Sequence, residues 1–166
     1  KEKDIPLIIQ SGKLNNEKKP QWLSKAVILL LKKGYKMKLK FIGSGSEKII
    51  SEIKNKFLKE GFESSLEIEN LLPLEKLAEE FNKADMVIFP EGTSLSCMEA
   101  ASCDTAVIMA DLPASIEREN EGIGMTYKRG DIKDLSEKIL SLLSDKEKLT
   151  SLSTLSGQKA RSSYSY

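Results

Sequence analysis

Residues 84–102 have the sequence ADMVIFPEGTSLSCMEAAS, which predicts a strand, a turn and a helix in succession. Met86–Phe89 is short and apolar and is followed by a proline, which is typical of a buried strand. Leu95–Ser102 is rich in small residues, and Ser94 is a suitable N-cap for a helix at this point. The stretch therefore predicts one strand–turn–helix unit of an α/β protein.

The same unit recurs along the chain. Further strands are predicted at Pro6–Gln10, Lys38–Ile42, Ser65–Ile68, Ala106–Ala110 and Gly124–Tyr127, and further helices at about Gln21–Lys33, Glu47–Lys59, Leu74–Asn82 and Ile132–Leu143. A helical tail follows with Asp145 as its N-cap, and its serine-rich end after Ser151 is expected to be a fraying end or a truncation point. Regular alternation implies parallel strands with right-handed crossovers. We therefore expect a Rossmann-like, doubly wound parallel sheet of about six strands, with helices on both faces.

Composition limits the possible functions. The 166 residues fit one domain, and 26 Lys and Arg against 25 Asp and Glu give no electrostatic reason to expect nucleic acid as a partner. The chain has no histidine, which excludes Ser-His-Asp and Cys-His pairs and removes the commonest metal ligand. The longest apolar run, Ala26–Leu31, is too short to span a bilayer, and no signal peptide is recognisable. We expect a cytoplasmic protein, with the inner face of the membrane as an alternative location for the full-length protein.

Ligands of doubly wound sheets bind at the carboxyl ends of the strands, near the point where strand order reverses. The turn after the first strand carries three lysines, Lys13, Lys18 and Lys19, next to Gly12, and this pattern favours an anionic ligand such as a diphosphate. Loop lysines are more often simply solvated. The GSGSEK segment at 43–48 is a weak signal, because it is equally typical of a tight turn followed by a capped helix.

The turn at Glu91 adds further ligand-binding chemistry. Gly92 allows the loop backbone to approach a ligand, and the N-terminus of the next helix favours an anion. Carboxylates accept two hydrogen bonds each, so Glu91 and Glu99 suit the paired hydroxyls of a ribose or a hexose. Glu99 is equally compatible with an ordinary charge on a helix surface.

These residues resemble the nucleotide-binding C-terminal domain of retaining GT-B glycosyltransferases, in which a Glu-x7-Glu motif follows a strand ending in proline. Glu91, Glu99 and the MEAAS segment stand at the places of that motif. The family's Gly-Arg-Leu and Glu-Lys-Gly are matched by GKLNNEKK (12–19), and its GxG by IGSGS (42–46). The segments AVIMADLPASIE (106–117) and GIGMTYKRGD (122–131) extend the resemblance, which covers about Ile8 to Leu143.

The resemblance implies a role for each matching residue. Lys13 and Lys18 would contact the donor diphosphate, Glu99 would bind the ribose hydroxyls, and Glu91 would be the catalytic residue that holds the transferred sugar. The other substrate-binding residues that it implies are Gly12, Gly43, Ser44, Asn70, Leu71, Leu72, Gly92, Thr93, Ser94 and Leu95. The segments at Gly43 and at 70–72 would flank the base. No metal or other cofactor is expected, because the lysines and the helix terminus would stabilise the departing diphosphate.

Three departures from the family pattern concern the donor sugar. Lys13 replaces the usual arginine, which keeps the charge but loses the bidentate fork. EGTSLS (91–96) replaces the usual Glu-Gly-Phe-Gly, and Pro113-Ala114 replaces Gly-Gly. These changes bear on which sugar is bound more than on nucleotide binding.

The family's enzymes carry an N-terminal acceptor domain, and the opening KEKDIP is typical of an interdomain linker. The resemblance thus implies that the full-length protein transfers a hexose, with retention, from a UDP- or GDP-sugar to a glycan or lipid acceptor. The 166 residues alone would bind donor without turnover. Two alternatives remain: a stand-alone, non-catalytic nucleotide-sugar binding module, and a protein-interaction domain on the same scaffold.

Overall fold

The computed structural model describes residues 5–92 and 95–163, which form six strands and seven α-helices. The strands are β1 (Leu7–Ser11), β2 (Lys38–Ile42), β3 (Leu66–Glu69), β4 (Met86–Phe89), β5 (Ala106–Ala110) and β6 (Met125–Tyr127). The helices are α1 (Pro20–Lys32), α2 (Glu47–Lys59), α3 (Leu74–Lys83), α4 (Leu95–Ser102), α5 (Pro113–Asn120), α6 (Ile132–Leu143) and α7 (Lys146–Ser163), and a 3-10 turn lies at Glu63–Ser65.

The six strands form one parallel sheet in the order β3-β2-β1-β4-β5-β6. The first three strands wind outward in one direction from β1, and the last three wind outward in the other direction from β4. The order therefore reverses between β1 and β4, which pair through Ile8–Met86 and Ile9–Val87. This confirms the predicted Rossmann-like, doubly wound sheet and places its switch point between these two strands.

Both faces of the sheet are covered by helices. Alternate strand residues such as Ile8 and Ile108 pack in a fully buried cluster with α1, α2 and α6. The intervening residues, such as Ile9 and Val107, face the opposite way into a second cluster with α3 and α4. Parallel strands buried on both faces explain why the sequence of each central strand is almost wholly apolar. No helix in the described part of the chain is long and apolar enough to cross a membrane.

The observed bounds differ slightly from the predicted ones, and one helix was missed. Strands β1 and β3 each begin and end one residue later than expected, and β6 begins at Met125. Helix α5 was not predicted. It is only eight residues long and buries only Ser115, so it shows no apolar stripe. Pro113 at its first position is the start signal that could have revealed it.

The expectation that the chain frays after Ser151 is wrong within the described residues. Helix α7 continues to Ser163 and buries Ser156, Gly157 and Ala160 against α4 and β5. The Ser156 hydroxyl accepts a hydrogen bond of 2.9 Å from the Gly124 amide. Small residues on this helix therefore allow close packing, which composition alone does not distinguish from disorder. Asp145 caps the helix as predicted, because its Oδ1 accepts from the Lys148 amide at 3.1 Å.

One buried cation lies near the β3 edge of the sheet. The Lys40 ammonium group on β2 contacts carboxylates of Glu67 (3.1 Å) and Glu69 (2.7 Å) on β3, and of Glu80 on α3. Burial acts to lower the pKa of Lys40, but its hydrogen bonds to Glu69, Glu80 and Glu67 outweigh burial and raise it. The hydrogen bond to Lys40 holds the pKa of Glu80 below its ordinary value. The cluster thus joins β2, β3 and α3 through charge.

Candidate functional site

A cavity of about 530 Å³ lies above the switch point, between the carboxyl ends of β1 and β4. The turn after β1 lines one side with Gly12, Lys13 and Lys18, and the turn after β4 lines the other side with Glu91. Ser96, in the first turn of α4, also contributes to the wall. Four of the predicted site residues therefore surround one cavity, whose volume is typical of a small-molecule site.

The lysine side of this cavity has a fixed backbone. The Lys18 amide donates to the Asn15 side-chain oxygen at 3.0 Å, which closes the turn before α1. The Gln10 side-chain amide, at the end of β1, donates to the Lys18 carbonyl oxygen at 3.4 Å. Lys13 is exposed and Lys18 is half-buried. The turn thus places two ammonium groups at the edge of the cavity without a carboxylate at salt-bridge distance from either among the described residues.

Gly12 and Gly43 hold this turn against the end of β2. A Cβ atom on Gly43 would lie 1.8 Å from the Gly12 carbonyl oxygen, so only glycine allows the two backbones to approach this closely. At Gly12 the φ angle is 122° and the place of a Cβ is open, which leaves the backbone accessible to a ligand. Ser46 caps α2 by accepting a hydrogen bond from the Ile49 amide at 3.4 Å. The GSGSEK segment is therefore a tight turn with a helix cap.

Glu91 is held by an arginine that sequence reasoning did not select. Arg129 Nε donates to Glu91 Oε1 at 2.7 Å, and the Glu91 side chain is 16% exposed. The Arg129 backbone amide donates to Asp111 Oδ1 at 2.8 Å, and its guanidinium lies over the Trp22 ring, 5.9 Å from the ring centroid. The hydrogen bond to Glu91 raises the pKa of Arg129. The residue therefore joins α1, the turn after β5 and the turn after β4.

The turn that carries Glu91 is also tied to β6. The Tyr127 hydroxyl donates a hydrogen bond to the main-chain carbonyl oxygen of Pro90. Burial raises the pKa of Tyr127, so the phenol stays protonated and keeps its role as donor at ordinary pH. The Pro90 carbonyl group, directly before Glu91, is thus held in place by the buried Tyr127 side chain, which lies two strands away in the sheet.

Eight other predicted residues lie outside the cavity wall. Glu99 is half-buried on α4. Burial raises the pKa of Cys103, and the charges of Asp104 and Glu99 raise it further. The predicted residues that do not line the cavity are Gly43, Ser44, Asn70, Leu71, Leu72, Gly92, Leu95 and Glu99. Leu71 and Leu95 are 66% and 63% exposed. Thr93 and Ser94, including the predicted N-cap, lie outside the described residues.

Two buried polar residues at the end of β1 were also missed. Gln10 and Ser11 line the cavity at 2% and 7% exposure. Gln10 Oε1 and Ser11 Oγ have no hydrogen-bond partner within the described residues. Buried polar atoms without partners are uncommon, and a functional role is one explanation for them. The sequence signal was a polar pair ending an otherwise apolar strand.

The comparisons with known proteins agree with this architecture. Residues 1–156 match the model of the family described as Glycosyl transferases group 1. The chain therefore belongs to the group 1 glycosyl transferases. A search of curated proteins gives no significant match.

Three solved structures illustrate the shared fold. Sucrose-phosphate synthase of Thermosynechococcus elongatus superposes with a TM-score of 0.81 at 17% identity, covering 96% of this chain and 41% of that protein. Anabaena HepE in complex with UDP-glucose gives 0.83 at 17% identity, covering 96% and 44%. The C-terminal domain of the group 1 glycosyl transferase LpcC from Francisella tularensis gives 0.84 at 19% identity, covering 96% and 88%. The chain thus spans about two fifths of the length of the first two, and its fold is that of a GT-B glycosyltransferase domain.

Proposed function

We propose that this chain is the donor-binding domain of a retaining glycosyltransferase that transfers a hexose from a UDP- or GDP-sugar to a glycan or lipid acceptor. The observation that carries the proposal is the cavity between β1 and β4, which unites two lysines with Glu91 in a chain of the group 1 family. HepE, a structural relative, has been solved with UDP-glucose.

The lysine side suits the diphosphate of the donor. Lys13 and Lys18 supply two positive charges beside Gly12, whose open backbone allows a phosphate to come close. Charge-assisted hydrogen bonds to phosphate oxygens are stronger than neutral ones, and they become stronger still as negative charge builds up on the leaving diphosphate. These lysines would therefore favour bond cleavage as well as binding.

Glu91 suits the transferred sugar, because it lies across the cavity from the lysines. Its carboxylate would accept hydrogen bonds from hexose hydroxyls and orient the anomeric carbon. Glu99 would bind the ribose hydroxyls from α4, outside the cavity wall as described above. Gly43, Ser44 and residues 70–72 would flank the base, and Gly92 to Leu95 would complete the sugar subsite.

The acceptor would bind to an N-terminal domain, and transfer would take place between the two domains. This chain spans about two fifths of the whole enzymes to which it is similar. One sheet edge holds the donor but offers no second wall to align an acceptor hydroxyl or to exclude water. We therefore propose that residues 1–166 alone are inactive as a transferase.

Isothermal titration calorimetry of the 166-residue chain tests the proposal. UDP, UDP-glucose, GDP-mannose and ADP-glucose serve as ligands, and at least one UDP or GDP compound is expected to bind. Lys13→Gln and Lys18→Gln should each weaken that binding by roughly tenfold through loss of a charge-assisted contact. Lys25→Gln is the matched control, because Lys25 is an exposed lysine on α1 outside the cavity wall.

Absence of binding by all four ligands would contradict the proposal and favour a protein-interaction domain. Binding followed by no transfer in the full-length protein would favour the stand-alone binding module. Retention is tested separately, by the anomeric configuration of the product that the full-length protein forms.

A further inference from the structure

The cation next to Glu91 is not one of the two that line the cavity. Arg129 Nε lies 2.7 Å from Glu91 Oε1, yet Arg129 does not contribute to the cavity wall, whereas Lys13 and Lys18 do. Arg129 therefore contacts Glu91 from outside the cavity wall. Lys13 and Lys18, and not Arg129, are the cations that line the cavity where a diphosphate would bind.

Arg129 is itself fixed at two other points. Its backbone amide donates to Asp111 Oδ1 at 2.8 Å, and its guanidinium lies over Trp22, which Lys19 also approaches to 5.5 Å. Arginine loses less conformational freedom per hydrogen bond than lysine because its guanidinium fork is planar and preorganised. The Glu91 carboxylate thus accepts a hydrogen bond from a guanidinium group that also lies over Trp22.

The ion pair itself adds little to fold stability. The Arg129 side chain is 51% exposed, and ion pairs at that exposure have a median contribution close to zero. The ion pair instead affects the orientation of the Glu91 carboxylate. Arg129 donates its hydrogen bond to Oε1 of Glu91. The second oxygen of the Glu91 carboxylate can accept hydrogen bonds from ligand hydroxyls.

We propose that Arg129 is a positioning residue that orients Glu91 for the sugar of the donor. This inference rests on the proposed function. Arg129 acts through Glu91, so its removal should affect the sugar-dependent part of donor binding and leave the nucleotide part intact.

Calorimetry with UDP and UDP-glucose separates these two parts. For Arg129→Gln we expect unchanged affinity for UDP and about tenfold weaker affinity for UDP-glucose. Arg129→Lys keeps the charge without the fork and should recover part of the loss. If the wild-type chain prefers guanosine, GDP and GDP-mannose replace the two ligands.

Arg161→Gln is the matched control. Arg161 pairs with Asp104 at 2.9 Å and is 48% exposed, so it resembles Arg129 in pair distance and in its own exposure. It lies on α7 and does not line the cavity. This variant should leave both affinities unchanged.

A double-mutant cycle shows whether Arg129 acts through Glu91. In a Glu91→Ala background, which removes the acceptor, Arg129→Gln should cause no further loss of UDP-glucose affinity. An additive loss would overturn the positioning role. Equal weakening of UDP and UDP-glucose would also overturn it, because it would place Arg129 on the nucleotide, and so would two unchanged affinities. A wild-type chain that binds neither nucleotide pair would instead refute the proposed function, and this inference with it.

Discussion

Tyr127 on β6 donates a hydrogen bond to the carbonyl oxygen of Pro90 at the end of β4, although β5 lies between these two strands. The phenol is 1% exposed, so the bond is sheltered from water. The last strand of the sheet therefore fixes the backbone of the turn that carries Glu91.

Replacing Tyr127 by phenylalanine should lower both the stability of the fold and the affinity for the nucleotide-sugar donor. The Pro90 carbonyl would be left buried without a donor, at a cost of roughly 1–3 kcal/mol in the free energy of unfolding. Urea denaturation measures this cost, and calorimetry with UDP-glucose measures the second effect. Tyr35→Phe is the control, because Tyr35 is 43% exposed. Equal stability of the two variants would show that the Pro90 bond contributes nothing.

Gly43→Ala should destabilise the fold more than an alanine at another glycine with positive φ. Gly34 has φ 97° and open space around its missing Cβ, so Gly34→Ala should cost only the backbone strain of roughly 1–2 kcal/mol. At Gly43 the added Cβ would overlap the Gly12 carbonyl oxygen, and relief of this overlap should cost a further ~1–3 kcal/mol. Thermal unfolding of both variants gives the comparison. A Gly43→Ala variant as stable as Gly34→Ala would mean that the turn shifts freely.

Lys40→Met should destabilise the chain by roughly 2–3 kcal/mol at neutral pH, because Glu67 and Glu69 would lose their cation and Glu80 would keep only the contact of 3.5 Å with Lys83. The cost stays below that of a fully buried pair, since Glu67 and Glu69 are 62% and 38% exposed. Lys76→Met removes an exposed partner of Glu79 at 3.8 Å and should have little effect. Chemical denaturation of both variants tests the difference.

The same cluster predicts the direction of the pH dependence. The folded-state pKa of Glu80 lies below its ordinary value of 4.5, so its stabilising contribution is present above that pH and is lost as the pH falls through the folded-state pKa. Lys40→Met removes the largest cause of the lowered pKa of Glu80, while Lys83 continues to lower it. The difference in unfolding free energy between wild type and Lys40→Met should therefore shrink below about pH 4.5. A difference independent of pH from 7 to 3 would show that the charges play no part.

Glu99→Ala should weaken UDP binding by roughly 1–3 kcal/mol if this carboxylate binds the ribose, because the ribose hydroxyls would lose their acceptor. Glu117→Ala on α5 replaces an exposed glutamate and serves as the control. Since Glu99 does not line the cavity in this structure, equal UDP affinities of wild type and Glu99→Ala would assign it to the helix surface.

Donor binding should not require a divalent ion, because the lysines supply the positive charge that a metal would otherwise provide. Titrations of UDP-glucose with magnesium and with excess EDTA should give the same affinity. Loss of binding in EDTA would mean that a cation bridges the diphosphate and the protein.

The sheet could be predicted from sequence because its central strands are buried on both faces. Met86–Phe89 and Ala106–Ala110 are continuous apolar runs, and this pattern follows directly from burial. Helix α5 and the packed end of α7 escaped prediction for the opposite reason. Their small and polar residues give no periodic apolar signal, and the burial of Ser156 and Gly157 depends on partners distant in the sequence.

The residues on the lysine side of the cavity could be predicted from the sequence, whereas those on the Glu91 side could be predicted only in part. Lys13 and Lys18 lie within one turn, so their proximity follows from local sequence. The Glu91–Arg129 pair joins residues 38 positions apart on turns that follow β4 and β6, two strands that are not neighbours. Sequence order alone does not show that the turn after β6 bends back over β5 to reach Glu91.

The switch point has a mechanical consequence. β1 and β4 pair through Ile8–Met86 and Ile9–Val87, whereas β1 and β2 pair along five residues from Leu7–Lys38 to Ser11–Ile42. Of the two strand pairings that β1 makes, the pairing with β4, which joins the two halves of the sheet, is therefore the shorter. The cavity opens directly above this pairing. A nucleotide-sugar donor bound by the lysines on one side and by Glu91 on the other would contact both halves of the sheet. It would thus link the half of the chain that is synthesised first to the half that is synthesised last.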